Sequence, residues 1–120
     1  MSINFNELDE EVRNKAMNLQ NLYTTREFLS QQKIQVENSM KETELAIEEL
    51  EKANPDEVVF KSIGGILVKS EKNKLLDEKK SLKVTLEMRS KTLVQKLERT
   101  SNQIKTIEAS IRQNLQNKSA

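Results

Sequence analysis

The hydrophobic residues of the first half of the chain recur every three or four positions. They mark a seam from Phe5 to Leu50 in which ten of fourteen positions are apolar. No Gly or Pro interrupts this stretch, so the pattern predicts one helix over residues 5–53, about 70 Å long at 1.5 Å per residue. A helix this long with so narrow an apolar stripe needs a partner helix. The seam positions are Phe5, Leu8, Val12, Lys15, Leu19, Leu22, Arg26, Leu29, Lys33, Val36, Met40, Thr43, Ile47 and Leu50.

The pattern changes after Asn54-Pro55-Asp56, which contains the only proline of the chain. Two apolar runs rich in β-branched residues follow, and Gly64-Gly65 separates them. Two glycines between such runs predict a tight β-hairpin over residues 57–70. Alternation places apolar side chains on both faces of this hairpin: Val59, Ile63, Ile66 and Val68 on one, and Val58, Phe60 and Leu67 on the other.

A second helical pattern covers residues 72–118. Its apolar positions are Leu75, Leu82, Leu86, Leu93, Leu97, Ile104, Ile107, Ile111 and Leu115. Steps of seven and four in place of strict heptads predict an irregular, locally unwound coiled coil between Leu82 and Leu97. Two helices of similar length joined by a short hairpin must fold back on each other. The predicted fold is mainly α: one domain over residues 1–120, a long antiparallel two-helix coiled coil with one β-hairpin at the turn.

The hairpin is more apolar than two isolated strands require, and two strands alone are marginally stable in water. It could fold onto its own coiled coil. Joining the hairpins of several subunits into an intersubunit β-barrel would cover the strand edges as well as the faces, and is the preferred interpretation. The residues predicted to mediate this oligomerisation, the hairpin set, are Val58, Val59, Phe60, Ile63, Gly64, Gly65, Ile66, Leu67 and Val68.

The antiparallel arrangement brings both chain termini to the free end of the coiled coil. Apolar side chains from both helices converge there, and ordinary packing of the seam accounts for part of them. Fraying of the ends would expose the others as a small binding patch. This helix-end set, predicted to bind unfolded polypeptide clients, is Ile3, Phe5, Leu8, Val12, Ile107, Ile111 and Leu115.

The composition argues against an enzyme. Only 35% of residues are hydrophobic and 32% are charged, and the chain has no His and no Cys. The usual neutral-pH general base, the thiolate nucleophile and the common zinc ligands are therefore missing together. We expect no catalytic residues, no metal and no cofactor. No apolar run approaches the ~20 residues that cross a bilayer, and the polar start is unlike a signal peptide, so a soluble cytoplasmic protein without membrane contact is expected.

Charge is divided unevenly along the chain. Residues 1–53 contain 6 Lys and Arg against 11 Asp and Glu, whereas residues 54–120 contain 14 against 8. Such asymmetry can mark a nucleic-acid-binding arm, but two helices of opposite sign lying side by side explain it equally well and are the preferred interpretation. The basic cluster of Lys79, Lys80 and Lys83 could contact phosphate or an acidic partner, but a solvated face beside the acidic first helix is the preferred interpretation. Met17, Met40 and Met88 are interpreted as seam or gap-filling residues in preference to an apolar client-binding surface.

Two segments resemble the signature of prefoldin beta-type subunits: Val59 to Lys69 in the hairpin and Leu86 to Leu93 in the second helix. The resemblance covers essentially the whole chain, and its simple form looks archaeal. One departure is Gly64-Gly65 where the family more usually has Gly-Asn at the turn.

The resemblance implies a hetero-hexamer of two alpha-type and four beta-type subunits whose hairpins build a double β-barrel. It implies an ATP-independent chaperone that captures unfolded polypeptides between its coiled-coil tips and delivers them to a group II chaperonin. It implies no nucleic acid partner. The competing hypothesis is a structural coiled-coil adaptor or an RNA-contacting helical arm, which salt-sensitive retention of RNA would support.

Overall fold

The computed structural model describes residues 9–119, which form two long helices with a β-hairpin between them. Helix α1 spans Glu10–Lys52, strand β1 Val59–Ile63, strand β2 Ile66–Ser70 and helix α2 Lys72–Ser119. This order of elements confirms the predicted fold class. The predicted intersubunit barrel stays a prediction.

The start of α1 differs from the predicted start at Phe5. Asp9 is not helical; its side-chain Oδ1 accepts hydrogen bonds from the backbone N–H groups of Glu11 at 2.8 Å and Val12 at 3.4 Å. Asp9 is thus an N-cap, a role for which a short acidic side chain is favoured. The spacing of apolar residues did not reveal this cap, because it carries no information about the free backbone N–H groups at the start of a helix. Residues 5–8 lie outside the described residues.

Helix α1 ends in a tight turn, and a lysine of α2 binds its last carbonyl oxygens. The Ala53 N–H donates to the Leu50 carbonyl at 3.2 Å, and the Glu57 N–H donates to the Asn54 carbonyl at 3.0 Å, which closes a turn around Pro55. The Lys72 ammonium donates to the carbonyl oxygens of Ala53 at 2.6 Å and Glu51 at 3.4 Å. A cation at the negative end of the helix satisfies carbonyls that have no partner inside the helix.

The chain forms two compact units. The terminal unit comprises Met1–Gln32 and Leu93–Ala120, and the hairpin unit comprises Lys33–Thr92. The organisation of residues 1–120 as a single domain stays a prediction.

In the terminal unit, α1 and α2 run antiparallel. The Lys15 ammonium donates to the Ser110 hydroxyl at 2.7 Å, and Tyr23 is hydrogen-bonded to Glu108. Farther along α1, Leu22 faces a groove that Arg99 and Ile107 of α2 also line. The side chains buried in the described part of this unit are Val12, Leu29, Leu93, Thr100 and Ile104.

In the hairpin unit the two helices are also antiparallel, since Glu44 faces Lys83 and Glu51 faces Lys80. The side chains buried here are Val36, Thr43, Leu75, Leu76 and Leu86. Thr43 lies in the seam of α1 and donates its hydroxyl to the Ser39 carbonyl at 2.7 Å, so this buried polar group is satisfied within its own helix.

Burial along α1 follows the predicted seam, with one exception. Each seam residue from Val12 to Leu50 is buried or half-buried apart from Arg26, which is exposed. The Arg26 guanidinium instead lies 5.3 Å from the centre of the Tyr23 ring, a cation–π contact beside the seam.

The predicted irregularity of α2 between Leu82 and Leu97 is wrong. Leu82 is exposed, and the neighbouring Lys83 is half-buried in its place. Once polar residues are counted as seam positions, the spacing along α2 alternates regularly between three and four residues. A lysine can occupy such a position because its stem covers apolar surface while its ammonium stays in water. The buried or half-buried positions that follow this alternation are Leu76, Lys79, Lys83, Leu86, Ser90, Leu93, Leu97, Thr100, Ile104, Ile107 and Ile111.

Candidate functional site: the exposed hairpin and the helix ends

The hairpin has the register that its glycine turn predicts. Ile63 pairs with Ile66 next to the turn, and the pairing continues to Val59 opposite Ser70. Gly64 and Gly65 both have positive φ, 54° and 83°, the combination of a two-residue type I′ turn whose twist matches that of the strands. The sequence prediction of a tight hairpin is confirmed here.

The register assigns each hairpin side chain to one of two faces. Side chains alternate along a strand, and paired residues share a face. The Ile63 face consists of Val59, Lys61, Ile63, Ile66, Val68 and Ser70. The Phe60 face consists of Phe60, Ser62, Leu67 and Lys69. Each face therefore mixes large apolar side chains with a lysine and a serine.

Both faces are open to solvent. Every hydrophobic side chain of the two strands except Val59 is at least 43% exposed, and Leu67 reaches 69%. Val58, just before β1, is also exposed. Among the described residues the sheet contains only β1 and β2, so each strand has one edge without a strand neighbour. Exposed apolar faces beside open edges are the features that proteins use to associate through β-strands.

One ion pair connects the hairpin to α2. The Lys61 ammonium lies 2.9 Å from Oε2 of Glu78, one turn into α2 beyond the buried Leu75 and Leu76. The hydrogen bond from Lys61 lowers the pKa of the Glu78 carboxyl below its ordinary value, and the charges of Lys61, Lys74 and Lys79 act in the same direction. Because Lys61 belongs to the Ile63 face, this bond links that face to α2.

The opposite charges of the two halves of the chain meet in the hairpin unit. Lys80 and Lys83 of α2 lie 3.8 Å from Glu51 and 4.0 Å from Glu44 of α1. These pairs are solvent-exposed and contribute little stability. They support the interpretation of the basic cluster as a face beside the acidic first helix.

The structure places the helix-end set only in part. Ile3, Phe5 and Leu8 lie outside the described residues. Val12 is 2% exposed, whereas Ile107, Ile111 and Leu115 are half-buried. The described members thus belong to the packed seam of the terminal unit, and their role in client binding stays a prediction.

The terminal unit also holds polar contacts that the hydrophobic pattern did not indicate. Lys15 is bonded to Ser110 across the seam and lies 3.1 Å from Glu11 in its own helix. Partial burial raises the pKa of the Tyr23 phenol, and its hydrogen-bonded neighbour Glu108 raises it further. Contacts across the seam depend on which residues of the two helices face each other, and a pattern within one helix does not specify that.

Two of the three methionines named above do not fill gaps in the core. Met17 and Met88 are among the exposed large hydrophobic residues, while Met40 is half-buried in the seam. The interpretation as seam or gap-filling residues is therefore right for Met40 and wrong for the other two.

The described residues lack the features of two other kinds of site. Within residues 9–119 no group of three or more acidic side chains is arranged to hold a metal ion. In the same range neither helix contains an apolar stretch sufficient to span a bilayer.

Two long helices with an exposed apolar β-hairpin between them define the class of the chain: a mainly α protein with the element order helix, β-hairpin, helix. A family model described as "Prefoldin subunit" matches residues 13–118. The chain belongs to the prefoldin subunit family, and its relatives show that it is of the beta type.

Curated relatives and a solved structure match nearly the whole chain. It is 36% identical to the prefoldin subunit beta of Methanothrix thermoacetophila over 109 residues, 91% of each chain. It is also 36% identical to that of Archaeoglobus fulgidus over 111 residues, 92% of each chain. The crystal structure of the prefoldin beta subunit from Thermococcus strain KS-1 matches with a TM-score of 0.80 and 27% identity, over 89% of this chain and 94% of that one.

Proposed function

We propose that this chain is a subunit of a hetero-oligomeric, ATP-independent chaperone that captures unfolded polypeptides and delivers them to a group II chaperonin. Its partners would be prefoldin alpha-type subunits and further copies of the beta subunit, two alpha and four beta in a hexamer, acting in the cytoplasm. Membership of the prefoldin family supports this proposal.

The observation that carries the proposal is the exposure of the hairpin on both faces. A two-stranded sheet with exposed Phe60, Ile63, Ile66 and Leu67 would leave apolar surface in water if the chain acted alone. Burial contributes roughly 25 cal/mol for each Å² of apolar surface removed from water. Joining hairpins into a shared barrel would bury this surface and pair the open edges, with the hairpin set at the junctions.

Client capture is assigned to the helix-end set. Several helix pairs projecting from one body would contact an extended client together, so weak contacts at each end would add up to a useful avidity. Nucleotide has no role in this proposal, because capture relies on apolar contact and the sequence contains no glycine-rich phosphate-binding loop.

The test is to coexpress the chain with an alpha-type subunit and to measure both assembly and holding activity. Native mass spectrometry should show a complex with the mass of two alpha and four beta subunits. The purified complex should suppress aggregation of chemically unfolded citrate synthase equally well with and without ATP. Absence of a mixed complex, or holding that requires ATP, would contradict the proposal.

The adaptor or RNA-arm hypothesis predicts a different result in the same preparation. An adaptor would leave citrate synthase aggregation unchanged, and an RNA arm would retain RNA on the purified protein in a salt-sensitive manner.

A further inference from the structure

With its two helices packed together, the terminal unit exposes little of its seam to a client. Val12 is 2% exposed, as is Ile104, and Ile111 and Leu115 are half-buried. If clients bind these side chains, the ends of α1 and α2 must first separate. The contacts that hold the two ends together therefore decide how readily the binding surface forms.

Lys15 occupies one of the four seam positions of α1 that are not apolar. Its ammonium donates to the Ser110 hydroxyl of α2 at 2.7 Å and lies 3.1 Å from Oε1 of Glu11, and its side chain is 26% exposed. Towards the helix ends from this contact lie Val12 on α1 and Ile111 and Leu115 on α2. Leu22 and Ile107 lie on the other side of the Lys15–Ser110 contact, farther from the helix ends, where they line one groove.

A lysine at such a position affects closed and open states differently from a leucine. When the helices separate, the ammonium returns to water and keeps its neighbour Glu11, so only the aliphatic stem of Lys15 adds to the apolar surface that opening exposes. A leucine there would have to expose its whole side chain, which makes opening more costly. The bond to Ser110 nevertheless holds the closed state at one defined register.

We propose that Lys15 and Ser110 form a clamp that sets how readily the helix ends open to admit a client segment. The inference rests on the proposed function and adds its regulation. Opening beyond the clamp exposes Val12, Ile111 and Leu115, while Ile107 and Leu22 remain packed. The clamp thus divides the helix-end set into residues that bind clients and a residue that supports the seam.

The test compares three variants of the complex assembled with an alpha-type subunit. Lys15→Leu should strengthen closure and slow hydrogen exchange of the amides in residues 10–14 and 108–117 about tenfold. Holding of chemically unfolded citrate synthase should then require several-fold more complex. Ser110→Ala should speed exchange and improve holding. Alanine favours helix more than serine, so faster exchange in that variant would not arise from a weaker helix.

The matched control is Lys33→Leu. Lys33 is a half-buried seam lysine of the hairpin unit, and its ion-pair partner is Glu37 of its own helix at 3.6 Å. This variant should leave exchange at the helix ends and holding unchanged.

The outcomes separate the clamp from the proposed function. Unchanged exchange in Lys15→Leu would overturn the clamp, and so would slowed exchange with full holding. An equal effect of Lys33→Leu would overturn it as well, since general seam stability would then be responsible. Failure of the unmodified complex to hold citrate synthase would instead overturn the proposed function, whatever the exchange rates show.

Discussion

Single charged residues complete this fold at places where backbone or seam would otherwise lack a partner. Asp9 caps the first turn of α1, and Lys72 binds the carbonyls at its last turn. An N-cap of this kind contributes about 1 kcal/mol. Lys15 contributes one of the contacts between α1 and α2 in the terminal unit, and Lys61 connects the hairpin to α2. The positions of individual charged side chains therefore matter more for this fold than the net charge of the chain.

The strength of the Lys61–Glu78 ion pair can be tested through the pKa of the Glu78 carboxyl. Its hydrogen bond lowers the pKa of Glu78 in the folded state, so the pair stabilises the fold above the ordinary glutamate pKa. That stability is lost as the pH falls through the lowered folded value. NMR titration of the Glu78 carboxyl should give a pKa below the ordinary value of about 4.3, and Lys61→Met should raise it.

A control for this titration is Lys69→Met. Lys69 lies on the Phe60 face, away from Glu78. Its replacement should leave the Glu78 pKa where it is. An ordinary pKa in the unmodified protein would show that the ion pair does not persist in solution.

The helices and the hairpin differ in how far their apolar side chains are buried. The helices bury a regular seam in which polar residues such as Thr43, Lys83 and Thr100 occupy regular positions. The hairpin has its register and turn in place but leaves its faces uncovered. Its strands thus satisfy local geometry and still lack a core, which is why assembly is assigned to the hairpin.

The prediction for this element is that the hairpin controls assembly while the helices do not. Replacing both Ile63 and Val68 by lysine would place unpaired charge among joined strands, next to Lys61, which pairs with Val68. Burying such charges costs several kcal/mol. Native mass spectrometry should show loss of the complex, while circular dichroism should show that most helicity remains.

A matched control places the same charges on an exposed part of α2. Val84 and Met88 are 55% and 66% exposed and one helical turn apart. Replacing both by lysine should leave the complex intact. An intact complex from the Ile63→Lys and Val68→Lys double variant would contradict the assignment of assembly to the hairpin.

For the whole molecule, the proposal separates assembly at the hairpin from capture at the helix ends. Deleting residues 1–9 and 107–120 removes most of the helix-end set but leaves the hairpin unit, residues 33–92, complete. The truncated chain should still assemble with an alpha-type subunit. Its complex should no longer protect unfolded citrate synthase from aggregation, measured by light scattering.

The control for this truncation removes residues 117–120 alone, which keeps Ile107, Ile111 and Leu115. That complex should hold clients normally. Full holding by the longer truncation would move client binding away from the helix ends, to other exposed apolar side chains such as Met17 or Phe28.

The sequence by itself determined the elements and most of the seam. The three-and-four spacing from Val12 to Leu50 identified which side of α1 is buried, because a helix has a fixed period and apolar residues gather on the side away from water. Gly64-Gly65 determined the turn and hence the register, because two consecutive positive φ values are open to glycine with little strain.

Only the tertiary structure decided which polar residues enter the seam of α2 and which contacts close the seam between the helices. It placed Lys83 in the position expected of Leu82, and it brought Lys15 to Ser110, 95 residues away in the chain. The reason is that a long polar side chain can lie over a seam or point into solvent with similar local preference. The choice depends on what the facing helix offers, and a periodic pattern carries no information about that.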